Sequence, residues 1–183
     1  VAALREVTRD EMMSRIVARE ARDFRPAFID QALAGHGAEI APVIGYGITQ
    51  NRDHAAPITN PHGFSAEWLR LGPGQSVGPF MIDEKMVLIV HEGQMRLDYD
   101  DGGAASVQLD GWDTYSVPGG VFRSMTATGD APVEVLVVVS GDQRKRPVFA
   151  PEIIDAARAA GLGLDAGGFV AKASLLPVYG RAS

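Results

Sequence analysis

From Phe64 onward, apolar and polar residues alternate in short runs, and each run ends in a turn signal. The signals are Gly72-Pro73-Gly74, Asp100-Asp101-Gly102-Gly103, Asp110-Gly111, Pro118-Gly119-Gly120 and Thr128-Gly129-Asp130. Strands at such regular spacing predict an antiparallel sandwich or barrel. Asp101-Gly102, between Leu97-Asp98-Tyr99 and Val107-Gln108-Leu109, marks a hairpin. The unbroken apolar run Val133–Val139 predicts a central strand buried on both faces.

The pattern changes at both ends. Thr8 followed by Glu11 has the form of a capping box, and Met12, Met13, Ile16 and Val17 then recur at helical spacing. A first helix of roughly two to four turns is expected there. Residues 24–63 are rich in Gly and Pro, with isolated apolar islands at Phe28-Ile29, Val43-Ile44 and Ile48. They read as an extended arm with one or two short strands, laid across the core or a neighbouring subunit. At the other end, Pro151 starts a helix that Gly161 closes, with Ile153, Ile154 and Ala157 as its apolar stripe. The tail from Gly163 is weakly specified. One structural domain is predicted: residues 1–63 as helix and arm, 64–148 as barrel, and 149–183 as helix and tail.

Composition narrows the function. The 183 residues are 46% hydrophobic and 22% charged, as in ordinary globular domains. The net charge of −6 disfavours a nucleic-acid partner. The basic run Gln143–Pro147 reads as a solvated loop or a subunit contact. With no cysteine there is no disulfide, thiolate nucleophile or Cys-type zinc site, and a cytoplasmic location fits. No apolar run is long enough to span a bilayer, and the opening VAALREVTRDEMM lacks the apolar stretch of a leader.

Two segments carry a more specific spacing. In the first, Gly74 is followed after five residues by Phe80-Met81-Ile82, then by Met86 after three more and Gly93 after a further six. In the second, Trp112 precedes Pro118-Gly119-Gly120, with Arg123 and Ala127 following. This resembles the paired motifs of the cupin superfamily, over roughly residues 64–141. Gly111 sits one place early, and Trp112 takes the glycine's own slot. The resemblance implies a mostly β fold, an antiparallel double-stranded β-helix (jelly-roll) barrel. It also implies a metal site of two His, a Glu and a third His, which carry over to Phe80, Ile82, Met86 and Arg123. Three of these are apolar and the fourth is a permanent cation, so no metal or other cofactor is expected there.

Strand alternation then fills in the interior. Leu88, Val90, Met125, Tyr115 and Val117 should join those four positions. On the Phe64–Leu71 strand either Trp68 and Arg70 or Glu67 and Leu69 face inward. The candidate ligand-binding set is therefore Phe80, Ile82, Met86, Leu88, Tyr115, Arg123, Met125 and Trp68. An arginine among apolar walls needs an anion, supplied by Glu67, Asp113 or Glu134 or by a bound ligand. The expected function is binding of a small, mostly apolar anion inside the barrel, anchored by Arg123. The alternatives are a metal-independent isomerase, lyase or cyclase using Tyr115 or a carboxylate, and a structural dimer with a filled barrel. His36, His54 and His62 in the arm are candidates for a displaced metal site, whereas His91 should face outward. A homodimer is expected whatever the function.

Overall fold

The alternating segments form two antiparallel sheets in a computed structural model that describes residues 4–99 and 105–177. The first sheet runs in the order β1 (Arg25–Pro26), β2 (Glu39–Ile44), β3 (Phe64–Leu71), β10 (Val133–Ser140), β5 (Met86–Glu92), β8 (Thr114–Val117). The second is β11 (Val148–Phe149), β4 (Ser76–Met81), β9 (Arg123–Ala127), β6 (Met95–Tyr99), β7 (Ser106–Leu109). Their inner faces meet in one core, because side chains one residue apart on a strand point to opposite faces. Across the first sheet Glu67, Val137, Leu88 and Tyr115 lie in one cross-strand row. Across the second, Met125 lies opposite Val77 and Leu97, and Arg123 opposite Phe80 and Tyr99. Strands β6 and β7 pair as expected, though the Asp101-Gly102 turn lies outside the described residues.

Strand β10 is central, bonded to β3 on one side and β5 on the other. It is not buried on both faces. Val133, Val135, Val137 and Val139 are buried inward, but Leu136 and Val138 on the outer face are half-exposed. An unbroken apolar run does not distinguish a covered outer face from a bare one.

The arm belongs to the barrel's own core. Strand β2 pairs with β3, and Phe28, Ile29, Ile40 and Ile48 are fully buried among the barrel residues. Phe28 stacks on Phe80 at 5.7 Å between ring centroids and meets Phe149 at 5.8 Å. Buried Asp30 accepts from the Gly78 amide at 2.8 Å, fixing the arm to the irregular stretch of β4.

Helix α1 (Arg9–Met13) is shorter than the pattern predicts. Thr8 caps it by accepting from the Glu11 amide, but the Glu11 side chain pairs with Arg5 and Arg15 instead of reaching back. None of its residues is buried, and a helix without a surface to pack on gains too little to propagate. Helix α2 (Pro151–Ala159) forms as expected, with Ile153 and Ala157 buried and Ile154 packed against the core. The tail is better specified than its composition indicates: β12 (Leu162–Leu164) pairs with β13 (Val170–Lys172). Asp165 holds that hairpin by accepting from the Gly167 and Phe169 amides.

The basic run is a loop that is solvated only in part: Gln143 and Arg146 are exposed, but its other two cations are not. Lys145 is 2% exposed, and its ammonium donates to the Gly141 carbonyl. Arg144 donates to the Thr49 carbonyl at 3.2 Å, its guanidinium 5.1 Å from the Phe169 ring centroid. The Arg144 side chain and the Lys145 backbone amide, which donates to the Gly47 carbonyl at 3.0 Å, pin the Gly45–Gln50 segment onto the barrel.

Candidate functional site

The two motif segments pair strand to strand, β4 with β9 and β5 with β8. Glycines at their turns take left-handed backbone, with Gly74 at φ 71° and Gly93 at φ 85°. A Cβ on Gly93 would lie 2.6 Å from the Pro132 carbonyl, so that turn has no room for a side chain. Trp112, in the slot where the motif has glycine, has φ 74°. The fold demands the same conformation there, and a bulky residue takes it under strain.

Phe80, Ile82, Met86 and Arg123 are all fully buried in the interior, as are Leu88, Val90, Val117 and Met125. Phe80 and Arg123 lie opposite one another on β4 and β9. Met86 faces them from the other sheet, opposite Val117 and Val139. This set holds three apolar side chains and one guanidinium, and it does not fit a divalent ion that needs imidazole or carboxylate donors.

Arg123 is the unusual member. It is 1% exposed, and two contacts orient its guanidinium. Its carbon lies 5.2 Å from the Phe80 ring centroid, a cation–π contact. Its Nη1 donates to the Val121 carbonyl at 2.7 Å. Its Nε and Nη2 are buried and have no hydrogen-bond partner. These two nitrogens form the edge that presents paired N–H groups to a carboxylate. Burial pushes the group down to about 10, which leaves it charged at neutral pH.

None of the three carboxylates considered as partners answers it. Glu134 accepts from Arg70 on the outer face, and the Asp113 carboxylate accepts from the Asp110 amide. Glu67 does face inward, in the row with Leu88 and Tyr115, but its two oxygens share the Ile48 amide at 3.2 Å each. Burial pushes Glu67 up to about 7, opposed by the Ile48 hydrogen bond and the positive charges of Lys145 and Arg144.

Trp68 requires a correction. It lies on the outer face of β3, half-buried, with Arg22 3.8 Å over its ring and His91 5.4 Å away. Leu69 and Glu67 take the inner face because β3 pairs with β10 in the register Leu69–Val135 and Glu67–Val137. Trp68 therefore cannot line the interior. Tyr115 packs against the core and is half-buried, its ring 6.4 Å from that of Tyr99. Tyr99 was missed, although it continues the inward alternation of Met95 and Leu97 and lies directly opposite Arg123.

The arm histidines do not converge. His36 contacts Asp30 at 2.9 Å, buried His54 contacts the Asp23 carbonyl at 2.8 Å, and His62 contacts the Asn60 carbonyl. His91 faces outward, as strand alternation requires.

No protein-family model matches the chain, and no curated protein matches it in sequence. Solved structures do match in fold. A cupin-2 domain protein from Rhodospirillum rubrum aligns with TM-score 0.55 at 14% identity, over 79% of this chain and 88% of that one. Oxalate oxidase aligns with TM-score 0.51 at 17% identity, over 66% of this chain and 58% of that one. Vicilin from hazelnut, Corylus avellana, aligns with TM-score 0.51 at 12% identity, over 74% of this chain and 36% of that one. Identities this low speak for architecture and not for activity. The chain has the cupin fold, a double-stranded β-helix of antiparallel sheets.

Proposed function

We propose that this protein is a metal-free cupin that binds a small, mostly apolar anion inside the barrel, with Arg123 as its anchor. The observation that carries the reading is the buried guanidinium whose Nε and Nη2 have no partner. A buried cation is costly unless an anion answers it, and the free edge suits a carboxylate bound through two parallel hydrogen bonds. The apolar body of the ligand would meet Phe80, Ile82, Met86, Leu88 and Met125. These side chains are fully packed, so a ligand enters by displacing some of them. Met86 and Met125 are the ones to yield, because unbranched thioether chains repack at low cost. Half-buried Tyr99 lies opposite Arg123 with its ring 6.4 Å from that of half-buried Tyr115, and this pair is the proposed way in.

Thermal shift with a panel of small carboxylates, hexanoate and benzoate among them, tests the proposal. A ligand that binds only the folded state raises the melting temperature with concentration. The expected result is a rise with at least one carboxylate that vanishes in Arg123→Leu. A rise that persists in Arg123→Leu sinks the anchor assignment.

The Tyr99–Tyr115 pair favours a second reading, a metal-independent isomerase, lyase or cyclase in which a tyrosine hydroxyl moves a proton beside the anchored anion. Slow exchange of substrate carbon-bound hydrogen into deuterated water, lost in Tyr115→Phe, distinguishes it from simple binding.

A further inference from the structure

On the outer face of the first sheet, β5 and β10 pair regularly from Met86–Val139 to Val90–Val135, and then the register slips. Glu134 comes to face Glu92, leaving His91 as the extra residue. A bulge of this kind breaks alternation and turns neighbouring side chains toward the same partner. Here it brings a His91 ring nitrogen and carboxylate oxygens of Glu92 and Glu134 within 4.8 Å of one another.

Two carboxylates directly opposite in an antiparallel pair repel. Part of that charge is answered: Arg70 donates to Glu134 Oε1 from Nε at 3.2 Å and Nη2 at 2.7 Å, and Arg19 donates to Glu92 Oε1 at 3.3 Å. The remaining atoms make no hydrogen bond. Glu134 is 7% exposed, and its Oε2 is buried without a hydrogen bond. His91 Nδ1 is likewise buried without one, 3.5 Å from Glu92 Oε1. The Arg22 guanidinium stays 3.9 Å from Glu134 Oε2, held over the Trp68 ring. The His91 ring is fixed between Trp68 at 5.4 Å and Trp112 at 5.3 Å. Solvent reaches Glu134 through a cleft of ≈ 310 Å³ whose lining includes Arg19, Arg22, Phe24 and Arg70.

We propose that His91, Glu92 and Glu134 form a surface site for a late first-row divalent cation such as Zn²⁺. One imidazole nitrogen and two carboxylates suit zinc, cobalt or nickel, and the imidazole argues against calcium or magnesium. Arg70 holds Glu134 through Oε1 and leaves Oε2 for the ion, the arrangement by which supporting hydrogen bonds orient ligands, whereas Arg19 competes for Glu92 Oε1 and must give way. Glu92 is exposed and swings in to close the site. The nearby arginines repel a cation, so this site binds more weakly than an all-acidic pocket would. It lies outside the barrel and is independent of the Arg123 reading.

Titration calorimetry with Zn²⁺ alone, supported by the visible spectrum of added Co²⁺, tests the assignment. The expected result is one ion per chain, with affinity at least tenfold lower in His91→Ala and in Glu92→Gln. His62→Ala, whose ring contacts only the Asn60 carbonyl and the Phe64 ring, should bind as the unaltered protein does. Removing Glu134 frees Arg70 and can unfold the chain, so exposed Glu92 carries the carboxylate arm of the test. Absence of binding, or binding that survives His91→Ala, overturns the site.

Discussion

The Arg123 guanidinium lies 5.2 Å from the Phe80 ring centroid, inside an apolar barrel, with two of its three nitrogens unpaired. A buried donor left without a partner costs about 1–3 kcal/mol, and the ring contact returns about 1–2 kcal/mol. In the unliganded protein this residue is therefore a net burden. Arg123→Met, which keeps an unbranched chain in the same space, should raise stability by about 1–3 kcal/mol in urea unfolding. A loss of stability would mean that the Val121 hydrogen bond and the Phe80 contact outweigh desolvation.

Glu67 carries the opposite charge in the same interior and titrates near neutrality, pushed up to about 7 chiefly by burial. Below the unfolded value of 4.5 both states are protonated, and the group has no effect. Between 4.5 and about 7 the unfolded chain releases the proton while the folded chain keeps it, so stability falls as pH rises. Above about 7 the penalty is complete, at most about 3 kcal/mol by linkage. Glu67→Gln removes that slope. Urea unfolding at pH 5 and pH 8 should show the variant gaining on the unaltered protein with rising pH, and parallel pH profiles would contradict the burial argument.

Much of this fold is legible in the sequence, and the misses have physical causes. Turn residues and alternation from Met86 place Leu88 and Val90 inside and His91 outside, because a strand with one clear apolar face has one possible orientation. On β3 each face offers one polar and one apolar residue, Trp68 with Arg70 or Glu67 with Leu69, so alternation alone is silent. The choice is made by pairing with β10, a contact distant in sequence. Burial of Lys145 was illegible for a different reason: its acceptor, the Gly141 carbonyl, is close in sequence, but only the folded turn brings the ammonium onto it. Tyr99 was legible, being two residues beyond Leu97. In the candidate site, what the motif spacing could not reveal is that Arg123 lacks a carboxylate partner, which depends on where Glu67, Asp113 and Glu134 are spent.

Trp112 is the only non-glycine residue with positive φ among the described residues, and it is 75% exposed. Left-handed backbone costs a residue with a Cβ about 1–2 kcal/mol, and glycine largely escapes this. Trp112→Ala keeps the strain and loses the His91 contact, whereas Trp112→Gly loses the contact and relieves the strain. The glycine variant should therefore be the more stable of the two, by about 1 kcal/mol in urea unfolding. Equal stabilities would show that the turn relaxes out of this conformation once the indole is gone.

Met12 and Met13 of α1, with Ile16 just beyond it, are each more than half exposed, as apolar side chains seldom are in groups. The barrel offers them no cover, since its core is closed by its own arm through Phe28 and Ile48. We infer that a second copy of the chain covers them, making the protein a homodimer. Light scattering after size exclusion should give a dimer mass for the unaltered protein. Replacing Met12, Met13 and Ile16 together by Glu should give a monomer with the sheet spectrum intact, because none of the three is buried in the barrel. A monomeric mass for the unaltered protein at high concentration, or a dimer that survives the triple substitution, rules this contact out.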